Sequence, residues 1–229
     1  RPQRMRLNLC FRGVVLGALV AASCSPAPTA TRQPVLTVYQ SSASIGDPHI
    51  VSDALARRSI IYSVYEALVR LDELGNYQPA LAERWEVGED ARSWTFHLRD
   101  GVTFHNGEVL SAFDVVATLG RVLDPSIGGA FGTQGVYISY LGTAEISAPD
   151  DMTVRIVTVD PMADLLDLVV DMPISPASEL HRLPEAYVGS GPYEIIEQSG
   201  TRLVIAAHDD YWGETPDYDE IHWVAEGDS

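Results

Sequence analysis

The clearest alternation of apolar and polar residues lies in the middle of the chain, in the sequence SWTFHLRDGVTF. A period of two is typical of a strand with one buried face. A hairpin that sets Phe96 opposite Phe104 places the apolar residues of this stretch on one face, and the same register sets Leu98 opposite Val102. Its three-residue loop requires Gly101 in the left-handed region, which glycine adopts without a steric clash. We therefore predict a strand, a tight turn and a second strand.

Turn and capping signals follow this hairpin. Asn106-Gly107 predicts another turn. Ser111 and Asp114 have the three-residue spacing of a helix-capping pair, so a helix is expected from Ala112. That helix should end before Pro125, because the residue preceding a proline disfavours helical geometry.

The remaining pattern predicts helices and strands in irregular alternation. Apolar residues at helical spacing cover 53–69, with Ser52 as a candidate N-cap. The other predicted elements are strands at 35–40, 153–159 and 221–224, a helix at 162–170, a glycine-rich loop at 126–135, and a hairpin at 193–207 that turns at Ser199-Gly200. Hairpins mixed with helices indicate a mixed α/β fold.

Charge and composition exclude several functions. The formal net charge of the 229 residues is −17, and no basic stripe with interleaved aromatic residues is present, so nucleic acid is not an expected partner. All 15 basic residues are arginine. Without lysine the chain cannot build a P-loop or a Schiff-base enzyme from its side chains.

The first residues have the character of a targeting segment. Arginines precede a short apolar run, GVVLGALVAA, which ends in small residues before Cys24. This order resembles the signal of bacterial lipoproteins, with 1–23 removed and a lipid attached to Cys24, although Ala21 stands where that pattern usually has leucine. Ordinary cleavage after a small residue is the alternative. Residues 24–34 are rich in proline, serine and threonine and indicate a flexible tether.

A family resemblance rests on several motifs in order. The stretch WTFHLRDGVTFHNGEVLSAFDVV resembles the signature of the extracytoplasmic solute-binding proteins of family 5, the oligopeptide-, dipeptide- and nickel-binding subunits of ABC importers. The further matching motifs are Asp47-Pro48-His49, Tyr65-Glu66-Ala67-Leu68-Val69, Pro79-Ala80-Leu81-Ala82-Glu83, Gly189-Ser190-Gly191-Pro192-Tyr193 and Asp210-Tyr211-Trp212. The resemblance covers the chain from about residue 35 to its end.

The resemblance implies a periplasmic-binding-protein-like type II lobe with an inserted α+β subdomain. Residues 35–50 and 169–229 would form the first lobe and 51–168 the insertion. The second lobe would be missing, so we expect a fragment that binds its solute weakly, since the family closes two lobes around its ligand.

The resemblance also suggests weak candidates for solute contacts. The family grips an extended peptide largely through backbone hydrogen bonds, and the loop after Asp47-Pro48-His49 would bring Ser52, Asp53 and Ala54 near the ligand. Phe131, in the glycine-rich loop, would line the cleft. The alternative is that Ser52 and Asp53 cap the following helix. His49 is expected to stabilise its loop rather than contact ligand.

No arrangement of residues demands an enzyme, a metal or a cofactor. In the predicted hairpin His97 and His105 are diagonal neighbours, which makes a weak metal site at best, and a solvated sheet face is the favoured interpretation. Gly189-Ser190-Gly191 lacks the spacing of a nucleophile elbow. Adjacent carboxylates in so acidic a chain are typical of solvated turns.

Three functions remain open on the sequence alone. The first is a monomeric, lipid-anchored binding subunit that captures di- or oligopeptides at the extracytoplasmic or periplasmic face and delivers them to ABC permease subunits. The second is the same role for nickel, an opine or an oligosaccharide. The third is an acidic surface hydrolase.

Overall fold

The computed structural model describes residues 33–50, 55–127 and 133–226. Strands and helices alternate irregularly along these ranges. The strands are β1 (Gln33–Gln40), β2 (Val69–Leu71), β3 (Tyr77–Pro79), β4 (Ala82–Val87), β5 (Ser93–Leu98), β6 (Glu145–Asp150), β7 (Thr153–Val157), β8 (Tyr193–Gln198), β9 (Arg202–Ala207) and β10 (Tyr218–Ala225). The α-helices are α1 (Leu55–Val64), α2 (Ala112–Leu123), α3 (Thr133–Leu141) and α4 (Leu165–Val169).

Two four-stranded sheets organise these elements. The first sheet has the order β1-β10-β9-β8; β1 runs parallel to β10, and the other pairs are antiparallel. The second sheet has the order β4-β5-β7-β6 and is antiparallel throughout. Strands β2 and β3 form a separate two-stranded hairpin. The mixed α/β fold is confirmed, and so is the hairpin of β8 and β9.

The predicted register of the central hairpin is wrong. Phe96 in β5 pairs with Trp85 of β4 and with Val154 of β7, so both edges of β5 are occupied and none is left for residues 102–104. Those residues instead fold back on 108–110 around the Asn106-Gly107 turn, where Phe104 N donates to the carbonyl of Glu108. Gly101 does adopt the left-handed region, at φ +74°.

The capping signal of α2 is confirmed. The backbone N–H and the hydroxyl of Ser111 both donate to Oδ2 of Asp114, at 2.8 and 2.7 Å. Oδ1 of the same carboxylate accepts from the backbone N–H of Ala177, so the cap also joins α2 to a distant segment. The helix ends at Leu123, as Pro125 predicts.

Buried apolar residues form two clusters. The larger one gathers the inner face of the second sheet with α2, α3 and α4, and it buries both Phe96 and Phe104 completely. The smaller one packs α1 on the first sheet through Ile60, Ile61 and Val64. These two clusters set the positions of α1, α2 and α3; α1 borders both cavities described below, whereas α2 and α3 border only the smaller one.

Candidate functional site

A buried ion pair joins the loop after β1 to helix α2. Nη1 and Nη2 of Arg121 contact Oδ1 and Oδ2 of Asp47 at 3.1 and 2.6 Å, and the two side chains are only 11% and 8% exposed. Asp47 Oδ1 also accepts from the backbone N–H of His49 at 3.0 Å. The bidentate geometry supplies the second hydrogen bond that a buried charge pair needs.

His49 adds a third connection to this cluster. Its Nδ1 lies 2.9 Å from Nη1 of Arg121, which can only donate, and its Nε2 lies 2.9 Å from the carbonyl oxygen of Pro173, which can only accept. The neutral ring with its proton on Nε2 is the form that satisfies both. Burial and the charge of Arg121 lower the pKa of His49 to about 4. His49 therefore holds its loop in place, as the sequence suggested.

Three sequence motifs meet at the carboxylate of Glu66. Its Oε2 accepts from the indole Nε1 of Trp212 at 2.7 Å and from the hydroxyl of Ser190 at 3.1 Å, while Oε1 accepts from the hydroxyl of Tyr211 at 3.0 Å. Burial raises the pKa of Glu66, and the three hydrogen bonds oppose that shift. Glu66, which lies two residues after α1, thereby connects the end of this helix to the segment before β8 and to the segment after β9.

The glycines of the Gly189-Ser190-Gly191 motif permit a close approach to α1. A Cβ built on Gly189 would lie 2.0 Å from the carbonyl oxygen of Val64, and one on Gly191 would lie 2.7 Å from the carbonyl carbon of the same residue. His105 contacts the backbone of the same two glycines. Its Nδ1 accepts from the N–H of Gly189, and its Nε2 donates to the carbonyl oxygen of Gly191. His105 is thus not at the predicted diagonal position beside His97, whose strand neighbours are Arg84 and Thr153.

Two cavities border α1. One, of about 70 Å³, is lined by residues of the Asp47 loop, α1, α2 and α3 and by Asp171–Pro173. The other, of about 380 Å³, is lined by residues of α1, of β2 and of the segment between them, together with Asp171 and Tyr211. Arg58, Tyr62 and Asp171 line both cavities.

These three residues form one hydrogen-bonded cluster, the Arg58 cluster. Oδ1 of Asp171 accepts from Nη2 of Arg58 at 2.5 Å and from the hydroxyl of Tyr62 at 2.6 Å. The guanidinium also lies over the Tyr62 ring, 5.5 Å from its centroid. In contrast to Asp47 and Arg121, the Arg58 and Asp171 side chains are 41% and 44% exposed, so their remaining polar atoms are open to a ligand.

The site residues expected from the sequence lie outside the described residues: Cys24, Ser52, Asp53, Ala54 and Phe131. The described elements that directly follow these segments do come together. Helix α1 begins at Leu55 and α3 at Thr133, and Arg58 of the first and Tyr137 of the second line the same small cavity.

Sequence reasoning missed the Arg58 cluster, because nothing in the local sequence links α1 to Asp171, 113 residues away. Within the described ranges, no group of three or more His, Cys, Asp or Glu side chains could hold a metal ion. The same part of the chain has no helix with the length and apolarity needed to cross a membrane.

Comparison with solved structures identifies the class of protein. AgaA from A. tumefaciens R10, a periplasmic binding protein in complex with agropinic acid, superposes with a TM-score of 0.74 at 30% identity, over 83% of this chain and 39% of that one. The oligopeptide-binding protein AppA from Bacillus subtilis, in complex with a nonapeptide, has the same fold, with a TM-score of 0.76 at 22% identity. The superposition with AppA covers 86% of this chain and 41% of AppA. The fold is that of the periplasmic-binding-protein-like proteins.

A family model narrows this class. The model for bacterial extracellular solute-binding proteins, family 5, matches residues 76–229, and the chain belongs to that family. Its members are solute-binding proteins of ABC importers, and one relative, the oligopeptide-binding protein OppA of Haemophilus influenzae, 25% identical over 83% of this chain, is named as periplasmic.

Curated relatives bind different solutes. The dipeptide-binding protein of Escherichia coli K12 is 26% identical over 95% of this chain, and the glutathione-binding protein GsiB of the same strain is 29% identical over 92%. The chain spans less than half of the length of these relatives, 45% and 41%.

Proposed function

We propose that this chain contributes to the solute site of an ABC importer's binding protein, which captures di- or oligopeptides outside the cytoplasmic membrane and delivers them to the permease subunits. The observation that carries the proposal is the convergence of α1 and α3 on one cavity, since each helix directly follows a segment expected to contact solute. Ser52, Asp53, Ala54 and Phe131 are the proposed contacts, and no catalytic step is assigned to the chain.

The proposed lobe division follows the two sheets. Strands from residues 33–40 and 193–225 build the first sheet, whereas the second sheet lies within residues 82–157. The first sheet belongs to the proposed first lobe and the second sheet to the proposed insertion. Because α1 packs on the first sheet, packing alone would assign α1 to the first lobe as well.

Another solute class is a second candidate. The likeness to AgaA, at 30% identity, favours an opine, and the relatives that bind dipeptides and glutathione favour a peptide. Both classes are small solutes with charged ends, which agrees with a site bordered by the charged groups of the Arg58 cluster.

Native mass spectrometry can test the solute class. The purified protein is incubated in turn with a mixed di- and oligopeptide library, with agropinic acid and with nickel. Weak but selective retention of peptides over the other two probes is the expected result. Exclusive retention of agropinic acid or nickel would replace the peptide proposal, and conversion of the peptides to smaller products would indicate a hydrolase.

A lipid anchor on Cys24 is proposed separately, supported by the arginine-rich start, the short apolar run and the small residues before the cysteine. Metabolic labelling with a palmitate analogue should mark the wild type but not Cys24→Ser. Cys10→Ser is the matched control, because Cys10 lies inside the segment expected to be removed. Equal labelling of all three would show that the lipid is not on Cys24.

A further inference from the structure

We propose that the cavity of about 380 Å³ beside α1 takes a carboxylate group of the solute and holds it with Arg58 and Arg70. This inference rests on the proposed solute-binding function and specifies one chemical group of the ligand. Both arginines line the cavity, together with Tyr62, Tyr65 and Tyr211. The volume of about 380 Å³ lies within the range of pockets that bind small molecules.

The acidic residues of this cavity already have donors. Glu66 accepts from Trp212, Ser190 and Tyr211, which use both of its oxygens. Asp171 accepts from Arg58 and Tyr62 at Oδ1. Among the carboxylate oxygens of Glu66 and Asp171, Oδ2 of Asp171 is the one without a hydrogen bond from the described residues.

The two arginines of the cavity, in contrast, have N–H groups that make no hydrogen bond among the described residues. Arg70 is exposed, and within the described part of the chain no hydrogen bond or ion pair is made by its guanidinium. Its charge nevertheless acts on Glu66 and Tyr211, which places it within electrostatic range of the cavity. Arg58 uses only Nη2 for its contacts with Asp171 and Tyr62, so Nη1 and Nε have no bond among the described residues.

The way in which the charged side chains around the cavity are paired favours an anionic ligand. Arg58 and Arg70 contribute two positive charges, and Asp171 compensates the first. The carboxylate of Glu66 accepts hydrogen bonds from three neutral donors, whereas the guanidinium of Arg70 has no hydrogen bond among the described residues. Two guanidinium groups with free N–H donors suit the planar, bidentate geometry of a carboxylate. The net charge of −17 repels anions at a distance, so specificity for a carboxylate must come from such local arginines.

A titration followed by NMR tests the inference on the 229-residue chain. The probe is succinate, and succinamide is the neutral control of similar size. We expect succinate to shift the backbone amide signals of Arg58 and of Val69–Leu71, and succinamide to leave them unchanged. Arg70→Gln should weaken succinate binding roughly tenfold or more, the range lost with one charge-assisted hydrogen bond. Arg155→Gln, at an exposed arginine of β7 that does not line the cavity, should leave binding unchanged.

Each outcome decides a different point. Equal shifts with both probes, or an Arg70→Gln variant that binds succinate like the wild type, would overturn the carboxylate site. Displacement of succinate by peptides with a free carboxylate, but not by their amides, assigns the group to the transported solute. If peptides bind elsewhere and never displace succinate, that assignment is wrong while the peptide function stands. If peptides fail to bind in the mass-spectrometry experiment, the proposed function fails independently of the succinate result.

Discussion

Arg121 and Asp47 face each other through two hydrogen bonds, although 74 residues of chain separate them. The pair joins the first turn after the edge strand of one sheet to a helix that covers the other sheet. His49 lies against the same guanidinium and connects it to the carbonyl of Pro173. The loop that leads to residues 51–54 is thus held by a charge cluster in addition to the apolar packing of Ala43 and Ile45.

Removing one member of this pair should strongly destabilise the fold. Arg121→Met leaves the Asp47 carboxylate buried without its partner, and we expect the free energy of unfolding to fall by about 3–5 kcal/mol. Asp47→Asn should cost a similar amount. Urea denaturation of both single variants and of the double variant completes a double-mutant cycle. Strict additivity of the two losses would show that the residues do not interact.

Mild acid should destabilise the protein through His49. The unfolded residue takes up a proton below a pH of about 6.5, whereas the folded one stays neutral until its pKa of about 4. Between these values the unfolded state binds more protons, so the free energy of unfolding falls as the pH falls. The loss from this residue should reach roughly 3 kcal/mol near pH 4.

The measurement is the pH dependence of urea unfolding between pH 7 and pH 4. His49→Gln should have a shallower slope than the wild type, whatever its stability at pH 7. His181→Gln, at an exposed position, should keep the wild-type slope. His105, with a pKa also lowered to about 4 by burial, contributes with the same sign in all three proteins. An unchanged slope in His49→Gln would contradict the assignment.

Alanine at Gly189 or Gly191 should be poorly tolerated. The added Cβ meets backbone atoms of Val64, which cannot rotate away as a side chain would. We expect losses of about 1–3 kcal/mol or more from this overpacking. Gly200→Ala is the matched control, because a Cβ there meets nothing within 4 Å. Thermal unfolding of the three variants compares them, and equal melting temperatures would mean that α1 does not approach this closely.

Glu66 should be needed for its hydrogen bonds more than for its charge. Glu66→Ala leaves the donors of Trp212, Tyr211 and Ser190 without their acceptor, and we expect a loss of about 2–4 kcal/mol. Glu66→Gln retains one acceptor oxygen and removes a charge whose burial is unfavourable, so its loss should be about 1 kcal/mol or less. Urea unfolding followed by tryptophan fluorescence measures both. A Gln variant as unstable as the Ala variant would show that the charge itself is required.

Local patterns in the sequence predicted the features that depend on a few neighbouring residues. The cap of Ser111 and Asp114, the helix end before Pro125, the positive φ of Gly101 and the β8–β9 hairpin are all confirmed, because each is determined by short-range sterics or hydrogen bonds. Helix α3 and strands β2, β3, β4 and β6 were not predicted, and the helix predicted over 53–69 ends at Val64.

Strand pairing and the Arg58 cluster could not be predicted in the same way. Alternation in residues 93–98 correctly indicated a strand with Phe96 buried, but alternation says nothing about which strands occupy its two edges. The contact of Arg58 with Asp171 depends likewise on the packing of α1 against a segment 113 residues away. The motif residues Asp47 and Glu66 could be recognised by resemblance, yet only the three-dimensional contacts explain what their carboxylates do.

The parallel pairing of β1 with β10 has a consequence for the order of events during synthesis. Gln33 has its partner in Tyr218, so β1 cannot take its place in the first sheet until nearly the whole described chain has been made. The second sheet, in contrast, has every one of its strands once residue 157 has emerged. The loop that β1 must close is far longer than any in the second sheet, and closing it costs more chain entropy. Strand β1 is thus the first of the described elements to be synthesised and among the last of them to find its partner.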